Sequence, residues 1–153
     1  MNKPIRKAVR TYLMEENSIV AIKYKEKETK DFYDIPGGKI EENELSFETS
    51  IREFKEETGM DIISQTYKGR VIVECPNRIF DFDIYIVDKY KGEPKEFEEN
   101  SSEWINIEEL LTKPKTFSSI AVIQFLNQDN NINLKIDMDN NHKIIKIEKI
   151  NFD

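Results

Sequence analysis

The chain is short of the residues that most often carry nucleophilic chemistry or covalent bracing. Its 153 residues include one cysteine, one histidine and one tryptophan. A lone cysteine, Cys75, rules out an internal disulfide, which fits a reducing compartment. It follows the apolar run Val71-Ile72-Val73 and precedes Pro76, so it reads as a small hydrophobic filler, with a reactive thiol as the lesser alternative. A lone histidine, His142, leaves no partner for a Ser-His-Asp or Cys-His set. No glycine-rich loop ends in Lys-Ser or Lys-Thr, which sets the P-loop route aside. Basic excess is also missing. With 23 Lys and Arg against 30 Asp and Glu the net charge is −7, which argues against general nucleic-acid binding. No apolar run reaches membrane-spanning length and no secretory-type apolar segment stands near residue 1. The expected location is the cytoplasm, with no membrane partner.

What remains is enough for one folded domain. A length of 153 residues supports one real core and is short for two, so residues 1–153 are expected to form a single domain. Charged residues at 35% beside hydrophobic residues at 38% describe a globular surface over a core and not a disordered chain. No internal repeat or linker stands out.

Hydrophobic spacing gives the elements. Residues 5–14 mix basic and apolar positions and suit a first strand, and Glu15 to Ser18 suits a turn. Ile19 to Tyr24 is nearly continuous apolar, as in a strand covered on both faces. Lys23 breaks that run, either as a solvated charge at a strand end or as a phosphate contact. Lys25 to Asp31 reads as a charged loop and Phe32 to Ile35 as a short strand. Period-2 spacing then predicts strands at Val71 to Cys75 and from Phe80 onward, joined by the turn Pro76-Asn77-Arg78. Tyr90 to Ser102 reads as a polar loop holding Glu93, Glu96, Glu98 and Glu99, with Trp104-Ile105 as a short strand after it. Ile107 to Leu111 suits a short helix ended by Pro114, and Phe117 to Leu126 an amphipathic one. Residues 127–153 form a tail apart: a polar stretch, then strict alternation at Ile132, Leu134, Ile136 and Met138, a turn at Asp139 to Asn141, and Ile145 and Ile147 beyond it. This predicts a β-hairpin whose edge either covers the core or pairs with a second copy of the chain.

The densest signal lies between Gly38 and Met60. Ser46 to Thr58 has helical spacing, with Phe47, Ile51, Phe54 and Thr58 on one face. Ser46 suits the N-cap, with Asn43 as the alternative, and Gly59 follows the last turn. Glu53, Glu56 and Glu57 project to one side of that helix. Like charges this close destabilise an isolated helix, and a divalent cation reverses the penalty. Oxygen-only ligands suit Mg²⁺, with Mn²⁺ as the alternative. Arg52 adjoins the acidic face and can orient a carboxylate. Before the helix, Pro36-Gly37-Gly38 offers two residues free to adopt positive φ and so to let backbone approach a ligand. A carboxylate cluster beside a glycine turn suggests metal-assisted attack of water on a phosphate anhydride. An ordinary solvated acidic helix is the competing reading.

This stretch resembles the Nudix box: Gly38, Glu44, Arg52-Glu53, Phe54, Glu56-Glu57, Gly59 and Met60 fall on the family's pattern, with Phe54 in place of the usual aliphatic residue. The resemblance implies an α/β fold, an α/β/α sandwich with a mixed β-sheet, to which the C-terminal hairpin is added. It implies hydrolysis of a nucleoside diphosphate linked to another group, with a bound divalent cation. Glu53, Glu56, Glu57, Gly38 and Glu98 are implied at the metal, and Glu53, Arg52, Glu57, Glu98 and Glu44 in the catalytic set, with Arg52 and Glu44 in support. Lys23, Lys39 and Arg78 are implied at the substrate. Within the family the chain is similar to the MutT type, through Pro76-Asn77-Arg78, Gly92-Glu93-Pro94 and Glu103-Trp104. A glutamate in the loop before the tryptophan then serves the metal site, Glu98 in the best alignment and Glu99 as its rival.

The resemblance stops at the base. The MutT type reads oxidised guanine with an asparagine near the start of the last helix, where this chain has Thr116-Phe117-Ser118-Ser119. The first expectation is therefore release of pyrophosphate from a nucleoside triphosphate, with no base assigned. The alternatives are ADP-ribose, a sugar nucleotide or an RNA 5′ end at the same site, and, in another class, a nucleotide-binding regulatory module.

Overall fold

In the computed structural model, residues 2–127 and 130–151 are described. β1 (Ile5–Tyr12) lies one strand in from the margin of a six-stranded mixed sheet. It runs parallel to β7 (Ile79–Lys91) and antiparallel to β5 (Gly37–Lys39). β6 (Asp61–Glu74) pairs with β7 as a long antiparallel hairpin and with β9 (Ile132–Met138) in parallel, and β10 (Ile144–Lys149) closes the far edge. A smaller sheet is centred on β3 (Ser18–Tyr24), which pairs with β2 (Met14–Glu15), β4 (Tyr33–Asp34) and β8 (Asn100–Asn106).

Adjacent residues on β1 show the layering. Thr11 and Tyr12 point to opposite faces of the sheet, as neighbours on a strand must. Thr11 Oγ1 lies 2.7 Å from Ser50 Oγ on α1 (Ser46–Thr58), whereas the Tyr12 hydroxyl donates at 2.7 Å to the Ser119 carbonyl on α3 (Ser118–Ala121). The expected sandwich is therefore present. The larger core lies on the Tyr12 face, where Val71, Phe82, Ile84, Leu134 and Ile136 meet Ile120 and Ile123. A second core under α1 joins Phe54 and Met60 to Leu13, Val20 and Val87, with Trp104 against it.

α1 has the bounds expected from its spacing, but Leu45 and not Ser46 is its N-cap. The Glu48 carboxylate accepts from Leu45 N–H at 2.9 Å and occupies the positive first turn. Gly59 ends the helix at φ 78°, with its N–H donating to the Lys55 carbonyl. The buried face is Thr49, Ser50, Phe54 and Thr58. Phe47 and Ile51, expected on the core side, are exposed at 48% and 40%. Small hydroxyl residues take the sheet side instead, because their hydroxyls can bond to Thr11, Gln65 and Glu44.

Other elements correct the reading. β6 starts at Asp61 and not at Val71, since its first half projects beyond the core and lacks the apolar alternation that marks buried strands. β8 begins at Asn100, inside the stretch expected to be loop. The single helix expected over 117–126 is the short α3 followed by a 3-10 turn, Val122–Phe125. α2 (Ile107–Leu111) agrees with expectation, with the Asn106 side chain accepting from Glu109 N–H at 3.0 Å. The tail forms the expected hairpin, with Ile132, Leu134 and Ile136 buried and β10 at the sheet edge. Residues 128 and 129 of the polar stretch before it lie outside the described residues. Cys75 packs against the larger core and burial raises its thiol pKa, as a filler would show. No helix among the described residues is long and apolar enough to cross a membrane.

Candidate active site

The site forms where α1 passes β5. Pairing with β1 sets Gly38 opposite Val9 and Gly37 opposite Arg10. The glycines are not at positive φ, contrary to the sequence reading; both sit in strand backbone. Their reason is close approach. A Cβ on Gly37 would overlap the Val9 carbonyl oxygen, and one on Gly38 would lie 2.5 Å from Glu53 Cδ. Gly37 N–H donates to Glu57 Oε1 at 2.7 Å. One helical turn thus sets Glu53 over Gly38 and Glu57 over Gly37.

Arg52 organises the acidic face. Its Nε and Nη2 hold Glu44 in a two-pronged bond at 2.7 and 3.0 Å, and Nη1 reaches Glu53 at 3.0 Å and Glu56 at 3.3 Å. Thr49 Oγ1 and Glu41 N–H also donate to Glu44. The Arg52 bond pulls the Glu44 carboxyl down to about 2. Burial acts the other way on the two carboxyls against the strand. It raises Glu53 despite Arg52, and it pushes Glu57 up to about 8 despite the Gly37 N–H and Arg10.

Glu53 is held by Arg52 and Glu57 by the Gly37 N–H, and burial leaves both carboxylates short of compensating charge when ionised. Among the described residues no three acidic, histidine or cysteine side chains already close around one point, because Glu56 is turned onto Arg52. The donor set is nonetheless all oxygen and faces backbone stripped of side chains, which fits a hard divalent cation.

The loop residues and basic residues stand further out. Phe97 N–H donates to the Asn100 carbonyl at 2.8 Å, so Glu98 and Glu99 form the exposed tip of a tight turn. Asn100 Nδ2 donates at 2.9 Å to the Glu57 carbonyl and ties that turn to the end of α1. Lys23 faces Asp31 at 4.0 Å and the Tyr33 ring, and Arg78 lies over Phe80 in the β6–β7 turn. The Lys39 side chain is exposed, while its carbonyl accepts from Arg52 at 3.4 Å.

A buried polar cluster escaped the sequence reading. Asp34 accepts from Ile35 N–H at 2.7 Å, from Tyr24 at 3.2 Å and from the Ser119 hydroxyl, and it pairs with Arg10 Nη2 at 3.4 Å. Burial opposes the Arg10 charge, but Asp34 and its neighbours hold the pKa above the ordinary value. The available signal was period 2: Arg10 shares its strand face with Ala8 and Tyr12, both buried.

Fold and site together define an α/β sandwich with a carboxylate-bearing helix laid against a glycine strand. The chain belongs to the NUDIX domain family, whose model matches residues 4–126. It is 34% identical over 62 residues to an 8-oxo-dGTP diphosphatase of Proteus vulgaris, covering 40% of this chain and 55% of that one. It is 39% identical over 61 residues to a putative 8-oxo-dGTP diphosphatase, YtkD, of Bacillus subtilis, covering 40% of this chain and 39% of the relative. The chain thus spans about half the length of the curated relatives it matches. The fold is that of a MutT protein from Bacillus halodurans, at TM-score 0.79 and 19% identity over 94% of this chain and 96% of that one.

Proposed function

We propose that the chain is a divalent-cation-dependent pyrophosphohydrolase that cleaves a nucleoside triphosphate, (d)NTP, to the monophosphate and pyrophosphate. The observation that carries the reading is the convergence of Glu53 and Glu57 on Gly38 and Gly37, braced by the Arg52–Glu44 pair. Glu53, Glu56, Glu57 and the Gly38 carbonyl would hold the ion, with Glu98 completing the set from its loop. Bound there, Mg²⁺ or Mn²⁺ would polarise phosphate oxygens and lower the pKa of a water.

The chain's own residues prepare that chemistry. Arg52, itself fixed by Glu44, holds Glu53 against Gly38, and Glu56 would turn from Arg52 to reach the ion. Before an ion binds, burial keeps a proton on Glu57 near neutral pH, and ion binding would release it. Lys23, Lys39 and Arg78 would meet the polyphosphate as it enters. The name of the Proteus relative, an 8-oxo-dGTP diphosphatase, supports a (d)NTP over other diphosphates and a nucleotide-pool sanitising role, in a cytoplasmic protein of one domain with the hairpin of 127–153 added to it.

The test is a product assay with Mg²⁺ across dNTPs, oxidised dNTPs, ADP-ribose, sugar nucleotides and 5′-triphosphate RNA. Monophosphate plus pyrophosphate is the expected outcome. Tight binding without turnover of any compound would overturn the enzyme reading in favour of a binding module.

A further inference from the structure

β10 closes one margin of the large sheet, and among the described residues no strand pairs with its outer edge. Ile150 N–H donates to the Asn133 carbonyl at 2.9 Å. By strand alternation Glu148 and Lys146 also turn their backbone groups toward β9, while Ile147 and Lys149 turn theirs outward. A bulge between Ile144 and Lys146 interrupts the ladder, so the regular edge is the run after it. An open row of backbone donors and acceptors is a template for a further strand.

Charge selects which strand. Across the hairpin Lys146 stands opposite Asp137 and Glu148 opposite Lys135, so each rank alternates in sign. Lys146 and Glu148 are the outermost members, 3.5 Å apart and 61% and 39% exposed. They lie one residue to either side of Ile147. A two-fold axis through Ile147, perpendicular to the sheet, sets Lys146 of each copy opposite Glu148 of the other. Each rank then runs Asp137, Lys146, Glu148, Lys135 from one copy into the next, alternating throughout. A shift of two residues either way would set Lys146 against Lys146 or Glu148 against Glu148. On the other face Ile147, which packs against the larger core opposite Ile136, meets Ile147 of the second copy.

We propose that the outer edge of β10 is a homodimer interface, where two copies of the chain pair antiparallel about Ile147 and join their six-stranded sheets into one. Ile147 N–H and C=O bond those of the other copy. The Lys146–Glu148 pairs occupy the flanking positions that lack backbone bonds, where opposed side chains stand closest, and they fix the register. β5 lies at the opposite margin, so both carboxylate sites stay open. The inference does not depend on the reaction assigned to them.

Sedimentation of the full chain over a dilution series should show the mass of two chains giving way to that of one. Lys146→Glu and Glu148→Lys should each weaken self-association by about tenfold or more, because like charges then face one another twice across the axis. An equal mixture of the two variants should restore it, since every opposed pair is again of unlike sign. A role of either residue confined to its own chain would give no such rescue. In the wild type the Ile147 and Lys149 amides should exchange with deuterium more slowly as concentration rises. That readout decides the matter even if a variant does not fold. A single-chain mass at every concentration would overturn the proposal. So would a dimer that both variants leave unchanged, or one whose protection falls on Ile63 and Tyr67 of β6 instead.

Discussion

Gly38 and Glu53 compete for one volume: the place where a side chain on Gly38 would begin is within 2.5 Å of the Glu53 carboxyl carbon. The glycine of the box is therefore an opening for a carboxylate and not a hinge. Gly37, one residue earlier, is a glycine for a different reason, because its missing side chain clears the β1 backbone.

That contrast separates two substitutions. Gly38→Ala should displace Glu53 and cut kcat by about 10²-fold or more while the chain stays folded, since the obstacle is the tip of a side chain. Gly37→Ala should lower stability instead, by about 2 kcal/mol or more, since backbone must move. Circular dichroism, urea midpoints and kcat on both variants check this, and equal losses in all three would contradict it.

Glu57→Gln should keep the bond from Gly37 and the fold, and should reduce turnover by about 10²–10⁴-fold. A wild-type rate would remove Glu57 from the machinery. Glu98→Gln should slow turnover as well, and a loss seen only in Glu99→Gln would move the loop role by one residue.

The raised Glu57 pKa also sets a pH dependence in the metal-free chain. Burial moves the carboxyl from 4.5 to about 8, so the folded state holds a proton that the unfolded chain has lost between those values. Stability from this group is complete below about 4.5 and declines as pH rises through about 8, by up to about 1.4 kcal/mol per pH unit. Urea midpoints with a chelator from pH 5 to 9 should fall accordingly, and Glu57→Gln should flatten the slope. A divalent cation should restore stability most at the alkaline end.

Glu44→Gln should weaken the hold on Arg52 and lower activity or cation affinity by about 10–100-fold, with nucleotide KM changing less. A KM effect alone would place Glu44 at the substrate.

A chain ended after Asn127 should be insoluble or strongly destabilised. The hairpin buries Ile132, Leu134 and Ile136 against β6, each contributing about 1.5–3 kcal/mol. A soluble truncated chain with an unchanged Tm would show the hairpin to be dispensable.

The sequence made the helix Ser46–Thr58 legible because charge, spacing and a terminal glycine agree there. It misled on Phe47 and Ile51, since spacing finds an apolar stripe but cannot say whether small hydroxyl residues have taken the core side. β6 was cut short for a related reason: residues 61–70 owe their strand to β7 across the hairpin and not to their own alternation. Arg10 gave only the sign of its spacing with Ala8 and Tyr12, and Asp34 gave none, because a charge in a strand reads as solvated until the partner from the other strand is placed beside it.

The strand order sets β5 at one margin of the six-stranded sheet and β10 at the other. Five strand spacings of about 4.8 Å put roughly 24 Å between the carboxylate site and that far margin. A fluorophore or tether fixed on the outer side of β10 would therefore report on sheet integrity or immobilise the protein while leaving the mouth of the site clear.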